Sequence, residues 1–204
     1  MTILVTGASG FIGSFIVSEG IEKGFEVWAG MRGTSSKGYL TDERIRFAQL
    51  DLSDVEKLKK QLLDYKTQMG GKGWDYVVHA AGATKCLNAE DFYRTNTKGT
   101  QNLIDALKES DMIPRRFVFV SSLSIFGAIR EEPVRVPTAE NPWIYSPILL
   151  TDTPQPNTVY GKSKLKAEEY LQQQKDFPYT ILRPTGVYGP REKDYFLMAK
   201  KLIN

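Results

Sequence analysis

An α/β fold, a doubly wound parallel sheet sandwiched as three α/β/α layers, is what this 204-residue sequence predicts. Two observations predict it. Short apolar runs alternate with helix-period segments through the N-terminal half, the rhythm of parallel strands joined by crossover helices, and a glycine-rich turn links the first run to the first periodic segment. With 41% hydrophobic and 25% charged residues, the chain is long enough for one well-buried core and a small appendage.

The elements follow in order. Strands are expected at Ile3–Thr6, Glu26–Ala29, Arg46–Leu50, Tyr76–Ala80, Phe117–Ser121 and Tyr179–Arg183. Between the first two, Ile12, Phe15, Ile16 and Ile21 approximate one apolar helix face, and Gly24 is a natural stop. Ser53 with Glu56 three residues later reads as a capping box opening a second helix, with Leu58, Leu62 and Leu63 facing inward. A third helix is expected from about Ala89 to Glu109, with Leu103, Ile104 and Leu107 inward and Gly99 as a weak point. From Gly127 to Asn157 the chain holds six of its ten prolines, which excludes a regular helix and predicts a long irregular surface loop. "YFLMAKKLIN" reads as a terminal helix exposing Phe196, Leu197, Met198 and Leu202, a face expected to seek a second copy of the chain as a homodimer.

Composition narrows the function classes. The net charge is +3 and the cations are scattered among carboxylates, so there is no electrostatic footprint for nucleic acid. Apolar runs are strand-sized and "MTILVTG" lacks the pattern of a signal peptide, so no membrane association and a cytoplasmic location are expected. Cys86 is the only cysteine and His79 the only histidine, so neither a disulfide nor a metal cluster is expected. His79, alone in an alanine-rich strand end, reads as a packing residue.

"TGASGFIG" places Gly7, Gly10 and Gly13 between strand and helix. Glycine there permits a tight turn and close approach of the backbone to a pyrophosphate, while the helix start offers N–H groups to the anion. The turn, Gly7, Ser9, Gly10, Phe11, Ile12 and Gly13, is therefore the expected seat of a dinucleotide. At the end of the second strand, where an acidic residue would accept from an NAD ribose, stands Arg32, with Ser35, Ser36 and Lys37 behind it. A guanidinium, hydroxyls and an ammonium suit a 2′-phosphate, so NADP is favoured over NAD.

Tyr160 and Lys164 are spaced i and i+4, on one side of a helix. An ammonium roughly 5 Å from the phenol would favour phenolate by ~3 kcal/mol at an effective dielectric near 20, enough to bring proton transfer to a substrate oxygen within reach. "TGASGFIG", Asp51 of "LDL", "HAAG", "FVFVSSLSIFG", "YGKSK" and "RPTGVYGP" together resemble, in order and over nearly the whole chain, the extended short-chain dehydrogenase/reductase family that contains nucleotide-sugar epimerases and dehydratases. The resemblance implies that Ser122 is the catalytic hydroxyl beside Tyr160 and Lys164. It also implies that Asp51 and Leu52 edge the adenine, that Ala80, Ala81 and Gly82 pass the cofactor's phosphates and ribose, and that Asn96 and Pro184 flank the cofactor. By the same likeness Lys164 bonds the nicotinamide ribose.

Leu123-Ser124 stands where the family's 4,6-dehydratases carry Asp-Glu, so water elimination lacks its proton carriers. The expected function is an NAD(P)-dependent epimerase or reductase acting on a nucleotide sugar or a related carbonyl or hydroxyl compound. The competing class is a non-catalytic, cofactor-sensing protein on the same fold, against which the intact Ser122, Tyr160 and Lys164 argue. The proline-rich loop, with Trp143 and Tyr145, is expected to flank the substrate, and the family's substrate-binding subdomain, which follows "RPTGVYGP", is expected to be largely missing from these residues.

Overall fold

β1 (Thr2–Thr6) lies near the middle of a six-stranded parallel sheet in the order β3-β2-β1-β4-β5-β8, with β2 (Glu26–Met31), β3 (Arg46–Gln49), β4 (Tyr76–His79), β5 (Arg116–Val120) and β8 (Tyr179–Leu182). The computed structural model describes residues 1–128, 131–138, 141–149, 151–192 and 194–203, with the backbone alone at 131–138, 141–145, 194, 195, 199, 202 and 203. The expected class, a doubly wound Rossmann-type sheet, is the one observed. Chain order reverses between β1 and β4, the switch point at which such sheets open a crevice beyond their carboxyl ends.

Period-2 alternation sorts the strands' side chains into two cores. Leu4, Trp28, Val77, Phe117 and Phe119 point to one face, under Leu58 and Leu62 of α2 (Val55–Gln68), Leu103 and Leu107 of α4 (Gly99–Glu109), and Leu171 of α5 (Val159–Gln172). Ile3, Val5, Val27, Ala29 and Val78 face the other way, against Val17 and Ile21 of α1 (Phe11–Glu22). Each buried large aliphatic or aromatic side chain contributes roughly 1.5–3 kcal/mol. α3 (Ala89–Phe92) runs through a π-helical segment, Tyr93–Lys98, into α4, so the expected third helix exists with a widened turn inside it.

Four local expectations need correction. Asp54, not Ser53, caps α2: its carboxylate accepts from Lys57 N at 3.0 Å, while the Ser53 hydroxyl is taken by Asp51 at 2.6 Å. Leu63 is exposed, because α2 turns only the ridge of Leu58 and Leu62 inward. Phe15 leaves the apolar face of α1 and stands half-exposed, edge-on to Phe11. The proline-rich excursion also contains a hairpin, β6 (Glu131–Thr138) with β7 (Asn141–Tyr145), antiparallel with an irregularity between Pro133 and Thr138. A two-stranded ribbon tolerates proline where alternate backbone N–H groups face outward and have no ladder bond to lose. Beyond β8, α6 (Asp194–Ile203) leaves Phe196, Leu197 and Met198 exposed; the side chain of Leu202 lies outside the described residues. Among the described residues no helix is long and apolar enough to cross a membrane.

Candidate active site

The site is built where β1, β4 and β5 end. Gly7 begins the turn after β1 with φ +68°, and a Cβ there would lie 2.6 Å from Ala81 N, so only glycine lets the two strand ends close up. Gly10 caps α1 without a side-chain hydrogen bond, and the first turn holds no acidic residue, leaving the N–H groups and positive end of the helix open. Below the sheet ends, His79 is fully buried between Thr6 and Thr100 hydroxyls, 2.6 and 2.9 Å from its ring nitrogens, and stacked on Phe119. Burial, with the nearby Lys164 charge, pulls its pKa down to about 3, so it is a neutral packing residue as expected.

Thr158 caps α5, its hydroxyl accepting from Gly161 N at 3.0 Å, and this starts the helix in time to carry Tyr160 in its first turn. A Cβ on Gly161 would sit 2.4 Å from Ser124 O, so the helix backbone lies directly against the short 3₁₀ turn Leu123–Phe126. Ser122 opens that turn, and its side chain bonds the Tyr160 phenol as well as Ser124 N and Oγ, both at 3.1 Å. Lys164, 3% exposed, donates from Nζ to Val120 O at 2.7 Å and lies 4.3 Å from the Phe119 ring centre.

The expected depression of the Tyr160 pKa is corrected here. Burial pushes the phenol above its usual value, and the Ser122 bond opposes this only in part. Lys164 gives its hydrogen bond to a backbone carbonyl, and burial lowers its own pKa to about 8 against the opposing Glu168 carboxylate one turn on.

Of the sequence-predicted residues, Gly7, Ser9, Gly10, Phe11, Ile12, Gly13, Ala80, Gly82, Ser122, Tyr160, Lys164 and Pro184 all line one cavity of about 1700 Å³. Ala81 packs its backbone on Gly7 instead. Leu52 lies partly buried on the core, its carbonyl taking a 2.8 Å bond from Asn102. Asn96 is fully buried and spent on structure: Oδ1 accepts from Ala83 N, and Nδ2 donates to Ala83 O and to Ser163 Oγ on α5. It pins the loop after β4 to α5 with both of its N–H donors, and its Oδ1 stands behind the cavity wall, where a Cβ on Gly82 would come within 3.2 Å of it. Arg32 and Asp51 meet in a smaller pocket of about 260 Å³. Lys37 is elsewhere, its ammonium 3.8 Å from the Phe47 ring centre.

Sequence reasoning missed Lys57, which lines the small pocket and pairs with Asp51 at 2.8 Å. This pairing and the Ser53 hydroxyl hold the Asp51 carboxyl at about 2. A lysine two residues into a helix carries no signal until the fold sets it beside β3. The proline-rich excursion was expected to flank the site, and its returning limb does line the large cavity, through Ser146, Ile148, Asp152, Thr153 and Gln155. Trp143 and Tyr145, the aromatics expected there, have side chains outside the described residues.

A family model described as NAD dependent epimerase/dehydratase matches residues 3–204. The chain belongs to the NAD-dependent epimerase/dehydratase family. Among curated relatives, the putative UDP-glucose 4-epimerase of Methanocaldococcus jannaschii is 32% identical over 197 residues, covering 93% of the chain and 57% of the relative. The bifunctional protein GAL10 of Kluyveromyces lactis is 30% identical over 210 residues, which is 91% of the chain but 28% of that protein. The UDP-glucose 4-epimerase of Thermus thermophilus, solved with NAD, superposes with a TM-score of 0.70 at 28% identity, covering 95% of the chain and 58% of that structure. The chain thus spans little more than half the length of the two UDP-glucose 4-epimerases and about a quarter of GAL10.

Proposed function

We propose that this chain carries the cofactor site and proton-transfer machinery of an NAD(P)-dependent epimerase or reductase acting on a nucleotide sugar or a related carbonyl or hydroxyl compound. The observation that carries the reading is the convergence of Ser122, Tyr160 and Lys164 on the wall of the cavity that also holds the glycine turn. The relatives' names, several of them UDP-glucose 4-epimerases, favour a nucleotide sugar.

A dinucleotide fits the residues present: α1 starts with open N–H groups and no side-chain cap, and the cavity runs from there to Tyr160. A bound nicotinamide supplies hydride transfer. Tyr160 takes the proton from a substrate hydroxyl, or returns it to the carbonyl oxygen, at its phenol oxygen. Ser122 donates to the same substrate oxygen as charge develops on it. Lys164, an ammonium below pH 8, stands one helical turn from Tyr160 and supplies positive charge to the same wall of the cavity, while burial holds the resting phenol in its protonated form, ready to return a proton to a carbonyl oxygen.

The test is Tyr160→Phe, which removes only the ionisable oxygen. Turnover of UDP-hexose or of a model ketone is expected to fall at least about 100-fold while NADPH affinity stays within twofold. A variant that turns over at the parent rate assigns the acid/base to another group and defeats the reading.

A further inference from the structure

Arg191 belongs to the segment after β8, yet its side chain ends on α1, 177 residues away in sequence. Nη1 donates to Ser14 Oγ at 3.0 Å, and the guanidinium lies 4.4 Å from the Phe15 ring centre and 5.3 Å from that of Tyr39. This accounts for the outward turn of Phe15: with Tyr39 it forms an aromatic seat for a cation at the cavity mouth.

That cation lies close to the start of α1. Ser14 is in the first turn of α1, whose positive end is open to the cavity and has no acidic residue to offset it. Arg191 forms no ion pair among the described residues, and Ser14 uses one of its five N–H donors. Its neighbour Glu192 accepts from Phe196 N at 3.4 Å and also lines the cavity, without pairing with Arg191. Arg191 lines the same cavity as Gly10 and Gly13. A helix start and a guanidinium converging on one space match a diphosphate, which takes backbone N–H groups on one side and a planar fork of donors on the other.

We propose that Arg191 is a ligand of the cofactor's diphosphate, closing over it from the β8 side while the glycine turn holds it from the α1 side; this rests on the dinucleotide reading above. Cofactor occupancy is thereby tied to the position of residues 184–192, several of which line the cavity between Tyr160 and α1.

Calorimetric titration of the parent, Arg191→Met and Arg191→Lys with NADPH, 2′-AMP and UDP tests this. Met keeps an apolar stem over Phe15 while removing the charge. NADPH affinity is expected to fall roughly 10- to 100-fold in Arg191→Met and less in Arg191→Lys, with 2′-AMP, which lacks a diphosphate, unchanged within twofold. NADPH affinity unchanged in Arg191→Met overturns the proposal and leaves the dinucleotide reading standing. Equal losses for NADPH and 2′-AMP overturn it too, by showing that Arg191 only packs the loop. Loss of UDP affinity with NADPH unaffected assigns the guanidinium to a substrate diphosphate and overturns it likewise. A parent chain that binds neither NADPH nor NADH fails the dinucleotide reading itself.

Discussion

Lys164 shows how a single side chain trades stability for chemistry. Its ammonium is buried, with one carbonyl and one aromatic ring for company, and its pKa falls from 10.5 to about 8 because burial disfavours the charge more than Glu168 restores it. The unfolded chain holds this proton up to pH 10.5 and the folded chain only to about 8. Between those values the unfolded state binds more protons, so this group's contribution to stability rises with pH there; below pH 8 its full cost is present, about 3 kcal/mol. Lys164→Met removes that cost but also strips Val120 O of its donor, which costs about 1 kcal/mol or more. The variant is expected to be inactive yet more stable than the parent by about 1–2 kcal/mol at pH 7, the gap closing as pH approaches 10.5. Urea unfolding at pH 7 and pH 10 checks it; a variant less stable at both would show that the ammonium is well accommodated.

Between elements, an ion pair joins α5 to the residue that follows β8. Glu168, fully buried, receives the Arg183 guanidinium at 2.7 Å from Nη2 and 3.1 Å from Nε. The same guanidinium lies 5.5 Å from the Phe126 ring centre, in the turn that begins after Ser122. One ion pair therefore links the helix carrying Tyr160, the last strand of the sheet and the turn carrying Ser122. Its two halves are unequal. Arg183→Met leaves a carboxylate with no access to water and is expected to cost about 3–5 kcal/mol, whereas Glu168→Gln leaves an arginine that is one-third exposed and able to hydrate, at roughly half that cost. Urea titrations of both variants measure the asymmetry, and equal losses would mean that water reaches Glu168. Neither residue was singled out from sequence for this role. Glu168 reads as one more helix charge and Arg183 as a strand end, and only the packing of α5 on β8 makes them partners.

At the scale of the molecule, the strand order sets two pockets side by side: the large cavity at the switch point, and the smaller one at the ends of β2 and β3. Arg32 and Lys57 bring two cations to the smaller pocket and Asp51 one ionised carboxylate, a balance that suits a 2′-phosphate better than a ribose hydroxyl. NADPH is therefore expected to bind at least about 10-fold more tightly than NADH, and Arg32→Ala to remove most of that preference by weakening NADPH alone. Paired titrations decide it; equal affinities for the two cofactors would return the site to NAD, the cofactor named with the Thermus thermophilus structure.

Local periodicity and glycine spacing were enough to read the parallel sheet and the turn after β1, because each depends on residues within one turn or one strand; Ser122 beside Tyr160 and Lys164 was legible only through the order of motifs along the chain. The hairpin in the proline-rich excursion was not readable, since prolines forbid helix without saying whether two segments pair. The pinning role of Asn96 was not readable either, because its partners Ala83 and Ser163 meet it only after folding. The elevated phenol of Tyr160 follows from burial, which no spacing records. Lys57 beside Asp51 and Arg191 on Ser14 come from the same cause. The sequence by itself determined which elements form and which chemical groups stand at their ends; which groups face one another, and in how little water, was decided by tertiary packing across separations of up to 177 residues.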